Sequence, residues 1–367
     1  MMKSIIYATV LFLSFSFISC EDSTSDYDTL IPKNSNENLL GSEDNSPNID
    51  IKLMMTFAAI GDFVNQHKFN EKTSVINYLK RTDLETNNEW NLKWFATNRL
   101  HGISAYITQN KNDSDIYTLT FSGTDLTNII ELQQVLKLDQ QVAFSTKNPE
   151  LKISKGSYDL FQYALHLKDK NKTIINYIQE VYQENPDAKF YFCGHSLGTT
   201  FLTYMSATLY ELFSSENQNI SIEIWLFGAP TFYTSNFVNY FLNLPFTKNF
   251  YSIEDDQIHT KYVWDFTKVY EISYPISTHL ENELLTIGTN LADGIPTGNE
   301  KYVPLPSTLM ENKVPIAEIF SDMVLNNFID YLKYVEYNHN RNHYLYSIGA
   351  NCVPQEYDAP LGNHCDY

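Results

Sequence analysis

Gly194-His195-Ser196-Leu197-Gly198 restricts what this 367-residue chain can become more than any other feature. The apolar run Phe190-Tyr191-Phe192-Cys193 leads into it, and an apolar helical stretch from Thr199 to Phe213 follows. A serine on a sharp turn between strand and helix is lifted above a sheet, where a substrate carbonyl can reach it. Such a turn packs strand and helix so closely that the flanking positions must be small, hence the glycines. A serine hydroxyl is a weak nucleophile until a base takes its proton. The motif therefore asks for an imidazole and an acid elsewhere in the chain.

The surrounding pattern supplies a sheet. Gly102 to Thr108 and Ile116 to Phe121 are rich in β-branched and aromatic residues and flank a polar turn, which predicts a hairpin. Ile220 to Phe227, Asn249 to Ile253 and Lys268 to Tyr274 predict further strands. Helical spacing of apolar residues runs through Ile51 to Val64, Tyr158 to Leu167 and Thr173 to Tyr182, the last closed by Asn185-Pro186-Asp187. Leu325, Phe328, Leu332 and Val335 share that spacing. Strands alternating with helices predict an α/β domain with a mostly parallel central sheet and helices on both faces.

Charge narrows the partners. Lys plus Arg is 25 against 44 for Asp plus Glu, a net charge of −19, and only Arg81, Arg99 and Arg341 are arginines. No basic stripe exists to neutralise phosphates, which excludes a nucleic-acid binder and argues against electrostatic docking on anionic lipid. At the N-terminus Lys3 precedes an apolar run, Ile5 to Ile18, too short for a membrane span of about 20 residues. Residues 1–19 read as an export signal, so the mature chain is expected outside the cytosol with no transmembrane span. Phe17-Ile18-Ser19-Cys20 resembles a bacterial lipobox; Cys20 is then the lipidated first residue, or else follows an ordinary cleaved signal. Residues 20–50 read as a flexible acidic tether, 51–350 as the folded domain and 351–367 as a tail. Cys352 and Cys365 flank a short loop and are expected to pair in an oxidising compartment, whereas Cys193 reads as a buried thiol. No Cys/His spacing suggests a metal site.

Three motifs in order carry a resemblance. Phe121-Ser122-Gly123-Thr124, then Gly194-His195-Ser196-Leu197-Gly198, then Phe227-Gly228-Ala229-Pro230 resemble the class 3 lipases, the fungal-lipase-like α/β hydrolases. The resemblance implies the α/β-hydrolase fold, no cofactor and no metal. It also implies a triad in the chain order Ser, acid, His. Asp256-Gln257-Ile258 resembles the segment holding the acid, with Asp255 as the neighbouring alternative. Of the nine histidines, His279, His339, His343 and His364 follow the acid at a usable distance, and His343-Tyr344-Leu345-Tyr346 resembles the family's C-terminal His-x-x-Tyr. The expected triad is thus Ser196, Asp256 and His343. The oxyanion donors expected are the N–H of Leu197 at the helix start and the backbone of Thr124. Three departures from the pattern stand out: Ser122 in place of Arg, Thr199 in place of Gly, and Lys155-Gly156-Ser157 where a His-x-Gly-Phe block is usual.

Asp125 to Phe144 occupies the place of the family's lid, and Thr278 to Asn338 reads as extra wall over the acyl site. The expected function is an exported serine hydrolase cleaving carboxylic esters of acylglycerol lipids, as a triacylglycerol lipase or a phospholipase A1 does, at a lipid–water interface. Hydrolysis of water-soluble or carbohydrate-linked esters is the nearest alternative. A non-catalytic surface lipoprotein that keeps the fold for binding is the alternative from another class.

Overall fold

The computed structural model describes residues 47–66, 71–123, 140–254, 256, 258, 276–282, 302–311, 313, 326 and 328–354. Thr124, Asp255, His364, Cys365, the strand expected over 268–274 and most of the expected lid lie outside these residues. The first described elements are α1 (Ile51–Gln66), α2 (Glu71–Leu79), β1 (Trp90–Asn98), β2 (Ile103–Asn110) and β3 (Ile116–Phe121). They lead to β4 (Gln141–Ala143), β5 (Lys152–Ser154), α3 (Lys155–Leu165), a minor hairpin of β6 (Lys168–Asp169) and β7 (Lys172–Thr173), and α4 (Ile174–Glu184). β8 (Lys189–His195), α5 (Leu197–Ser215), β9 (Ser221–Phe227), β10 (Tyr233–Thr234), α6 (Ser235–Leu242) and β11 (Thr247–Ile253) come next. The last are β12 (Tyr302–Val303), β13 (Thr308–Met310), α7 (Phe328–Asn338) and α8 (Arg341–Ser347).

The central sheet has seven strands in the order β1-β2-β3-β8-β9-β11-β13. β1, β2 and β3 form an antiparallel meander, and every pairing from β3 onward is parallel. This is the α/β-hydrolase fold. Strands buried on both faces must be apolar at both parities. β8 meets that demand: Phe190 and Phe192 join the core cluster under α3 to α6, while Cys193 joins the cluster under α1 and α8. β9 divides likewise, with Ile222, Ile224 and Leu226 on one side and Trp225 and Phe227 on the other. α5 begins at Leu197, directly after the serine, and buries Phe201, Leu202 and Met205 against the sheet. α4 is capped by Thr173, whose side chain accepts from the Asn176 N–H, and it buries Ile174, Ile178 and Val181.

Three elements differ from expectation. β1 escaped the pattern because a bulge between Leu92 and Trp94 breaks its alternation. The end of the expected lid is not a lid: Gln141–Ala143 pairs with β5 in a second sheet, β12-β10-β5-β4. Phe144 is buried there, against Phe237 and Tyr204. The chain also stays packed past residue 350, since Val353 is fully buried and the Tyr78 hydroxyl donates to Pro354 O at 2.8 Å. Cys352 is disulfide-bonded. Among the described residues no helix is long and apolar enough to cross a membrane.

Candidate active site

Ser196 sits where β8 turns into α5, with φ +54° and ψ −133°. That left-handed backbone is costly for a serine and persists because its surroundings hold it. The Ser196 N–H donates to Phe227 O at 3.0 Å, and Ser196 O accepts from the Thr199 N–H and hydroxyl at 2.9 and 2.6 Å. Thr199 therefore serves the first helical turn where the family has glycine. A Cβ on Gly198 would lie 2.4 Å from Phe121 O, so only glycine lets α5 start this close to β3. Leu197 opens the helix, and its N–H has no acceptor within the helix.

Asp256 follows β11 and is fully buried. Its N–H donates to Ile253 O at 3.1 Å, and its Oδ1 accepts from the Ile258 N–H at 2.9 Å. The imidazole that meets it is His339, at the junction of α7 and α8: Nδ1 lies 2.9 Å from Oδ2 and 3.1 Å from Oδ1. A carboxylate only accepts, so Nδ1 carries the proton and Nε2 is left as the base. His339 Nε2 is buried and has no hydrogen-bond partner among the described residues. The buried Tyr344 hydroxyl also donates to Asp256 Oδ2. Burial first, then the Asp256 charge, hold that phenol well above its ordinary range, so it stays a donor.

His343 is placed elsewhere, which corrects the expected triad. Adjacent residues on a helix point about 100° apart. Tyr344 takes the direction toward Asp256, so His343 turns into α7, its ring edge-on to Tyr337 at 4.1 Å. Burial pushes its pKa down to about 3. Tyr346, the tyrosine of the supposed His-x-x-Tyr, is partly exposed. His279 is exposed in the helical stretch 278–282.

The two halves of the site meet across the end of β9. Gly228 has φ +59°, and a Cβ there would come within 3.0 Å of His339 Cε1 and 2.7 Å of the Tyr344 hydroxyl. The same backbone, at Phe227 O, holds the Ser196 N–H.

Sequence reasoning missed Asp62. It lies on α1, buried, with Oδ2 accepting from His195 Nδ1 at 2.8 Å and Oδ1 accepting from the Gly123 N–H. The available signal was a single carboxylate in the otherwise apolar run Phe57 to Val64. The His195 ring lies 4.6 Å from that of His339 and 5.1 Å from Tyr344. Burial, then His339, push the His195 pKa down against the pull of Asp62. Cys193, one strand residue earlier but one, has its thiol pushed up to about 12 by burial and is no nucleophile. Among the described residues no group of three or more His, Cys, Asp or Glu could hold a metal ion. The arrangement offers a serine, a base held in one tautomer and a buried acid.

Residues 118–257 match the Lipase (class 3) family profile. The chain resembles the class 3 lipases. The matched stretch runs from β3 through the serine turn to the residue after Asp256. The crystal structure of M37 lipase superposes with a TM-score of 0.63 at 20% identity, covering 81% of this chain and 94% of that one. Lipase II from Rhizopus niveus gives 0.42 at 16% identity, over 56% of this chain and 72% of that one. A triacylglycerol lipase from Penicillium expansum gives 0.41 at 11%, over 56% and 70%. No curated protein matches the sequence. The family profile ends at residue 257, short of His339, so the assignment of the base rests on the Asp256 contact and not on the profile.

Proposed function

We propose that the protein is a carboxylic ester hydrolase that acts on acylglycerol lipids through Ser196, His339 and Asp256. The observation that carries this is the 2.9 Å contact of His339 Nδ1 with buried Asp256, one backbone strand away from a serine held at φ +54°. In the reaction Ser196 Oγ attacks the ester carbonyl while His339 Nε2 takes its proton. The imidazolium then returns that proton to the leaving alcohol, giving an acyl-enzyme. Water, deprotonated by His339, releases the acid. Asp256 holds the tautomer and balances the transient positive charge; Tyr344 keeps the carboxylate in place. The Leu197 N–H faces the developing oxyanion, with Thr124 as the expected second donor. The class 3 lipase profile supports the ester class. The apolar run before Cys20 supports export, with anchoring through a lipidated Cys20.

A fluorophosphonate probe should label the native protein at Ser196, and Ser196→Ala should abolish both labelling and hydrolysis of p-nitrophenyl esters. Activity rising from two-carbon to sixteen-carbon acyl groups supports a lipid substrate; activity confined to the shortest esters overturns it. An unlabelled native protein overturns the hydrolase assignment.

A further inference from the structure

We propose that Asp62 is a positioning residue for this reaction: one buried carboxylate ties the nucleophile turn to the oxyanion side of the site. The proposal rests on the assignment of Ser196 and His339 above. Asp62 comes from α1, an element that supplies none of the triad and packs on the opposite face of the sheet from α5. Its two oxygens go to two different strand ends. Oδ2 takes the Nδ1–H of His195, the residue immediately before the nucleophile at the end of β8. Oδ1 takes the N–H of Gly123, just beyond the end of β3 and one residue before position 124. These ends are close: a Cβ on Gly123 would lie 3.1 Å from Ser196 Cβ and 2.9 Å from Asp62 Oδ1.

The bond to His195 does a second job. It fixes His195 as the Nδ1–H tautomer, so that its ring can lie neutral beside His339 at 4.6 Å. His339 is the group that becomes cationic in the reaction. A second cation at that distance would oppose the transition state, whereas a neutral ring backed by a carboxylate does not. Among the described residues the charged and titratable groups around the pair are Asp62 from α1, His195 from β8, His339, Asp256 and Tyr344. Tyr106 from β2 completes the set, its hydroxyl donating to Phe57 O at 2.6 Å. Two carboxylate–imidazole pairs thus lie ring against ring. The bland alternative is a buried ion-pairing contact that holds α1 to the sheet and nothing more.

Asp62→Asn separates the two. A carboxamide has one acceptor oxygen, so it can keep one N–H donor and must turn its own N–H₂ toward the other. Fluorophosphonate titration counts the competent serines, so kcat is read per labelled site and partial misfolding cancels. We expect kcat per site to fall 10- to 100-fold with KM within twofold, because the ester-binding wall is untouched. His195→Gln, which leaves the Gly123 bond in place, should lower kcat in the same direction, and the double variant should be no worse than the worse single one. If Asp62→Asn yields no folded protein, His195→Gln carries the test alone. Imidazole nitrogen NMR of the native protein should find His195 as the Nδ1–H tautomer. A kcat per site within threefold of native in the folded variant, or an Nε2–H tautomer, overturns the proposal. A native serine that the probe does not label overturns the hydrolase assignment instead, and this inference with it.

Discussion

His339 and His343 stand four residues apart and do opposite things with the same ring. His339 presents Nδ1 to Asp256 and keeps Nε2 for a proton; His343 is buried against Tyr337. His339→Ala should therefore lower kcat/KM by about 10³-fold or more, as losing a triad base does, while His343→Leu should stay within a few-fold. Ester kinetics on the two variants decide it, and a dead His343→Leu that melts normally would sink the assignment. His343 should show itself in stability instead. Its folded pKa, about 3, is far below the ordinary value of 6.5, so the unfolded chain takes up the proton first as pH falls. Stability is thus full above about pH 6.5 and erodes toward pH 3, by about 2 kcal/mol at pH 5. The native Tm should drop across that window and that of His343→Leu should drop less; parallel curves would contradict this. The sequence pattern pointed to the wrong ring because a local His-x-x-Tyr match carries no information on helix phase. Tyr344, five residues after His339, is the tyrosine that reaches the acid.

At the scale of elements, the α5 start is the most exacting contact. Gly198→Ala places a methyl 2.4 Å from Phe121 O, a backbone atom that cannot swing aside. Either α5 or β3 must shift, and overpacking of this kind costs about 1–3 kcal/mol. Thermal melting should report that loss, and probe labelling of Ser196 should slow by at least tenfold because the nucleophile rides on the displaced turn. Unchanged labelling would mean that the turn tolerates the shift. The elements around this turn were legible because their patterns are local: continuous apolar runs in β8 and β9, buried on both faces, and a long apolar helix behind them. β1 was not legible, since its bulge shifts the alternation in mid-strand. β4 was not either. Its three residues become a strand only by pairing with β5, a contact that the local pattern does not encode.

For the whole molecule, the net charge of −19 sets how it can approach a lipid surface. An anionic bilayer repels it, and repulsion reaches about 30 Å at 0.01 M salt but about 10 Å at 0.1 M. Hydrolysis of neutral emulsions should exceed that of the same ester in anionic vesicles at low salt, and the gap should narrow as salt rises. Equal rates at low salt would mean that a local apolar surface governs adsorption. The same scale explains the mixed sheet. Parallel strands from β3 onward need helical crossovers, whereas the meander β1-β2-β3 needs only short turns and so extends the sheet on one edge.

The amino-acid order by itself determined the serine turn, the α/β alternation and the Phe-Gly-Ala-Pro strand end, because each depends on neighbours within a few residues; it left Asp255 and Asp256 side by side as candidates for the acid. Only the tertiary structure decided which histidine meets Asp256, since that choice turns on the angular phase of α8 relative to β11. It alone revealed Asp62, because a carboxylate on α1 becomes part of the site only when the sheet brings Gly123 and His195 to its two oxygens. Contacts between residues far apart in the chain are set by packing, and packing has no local signature.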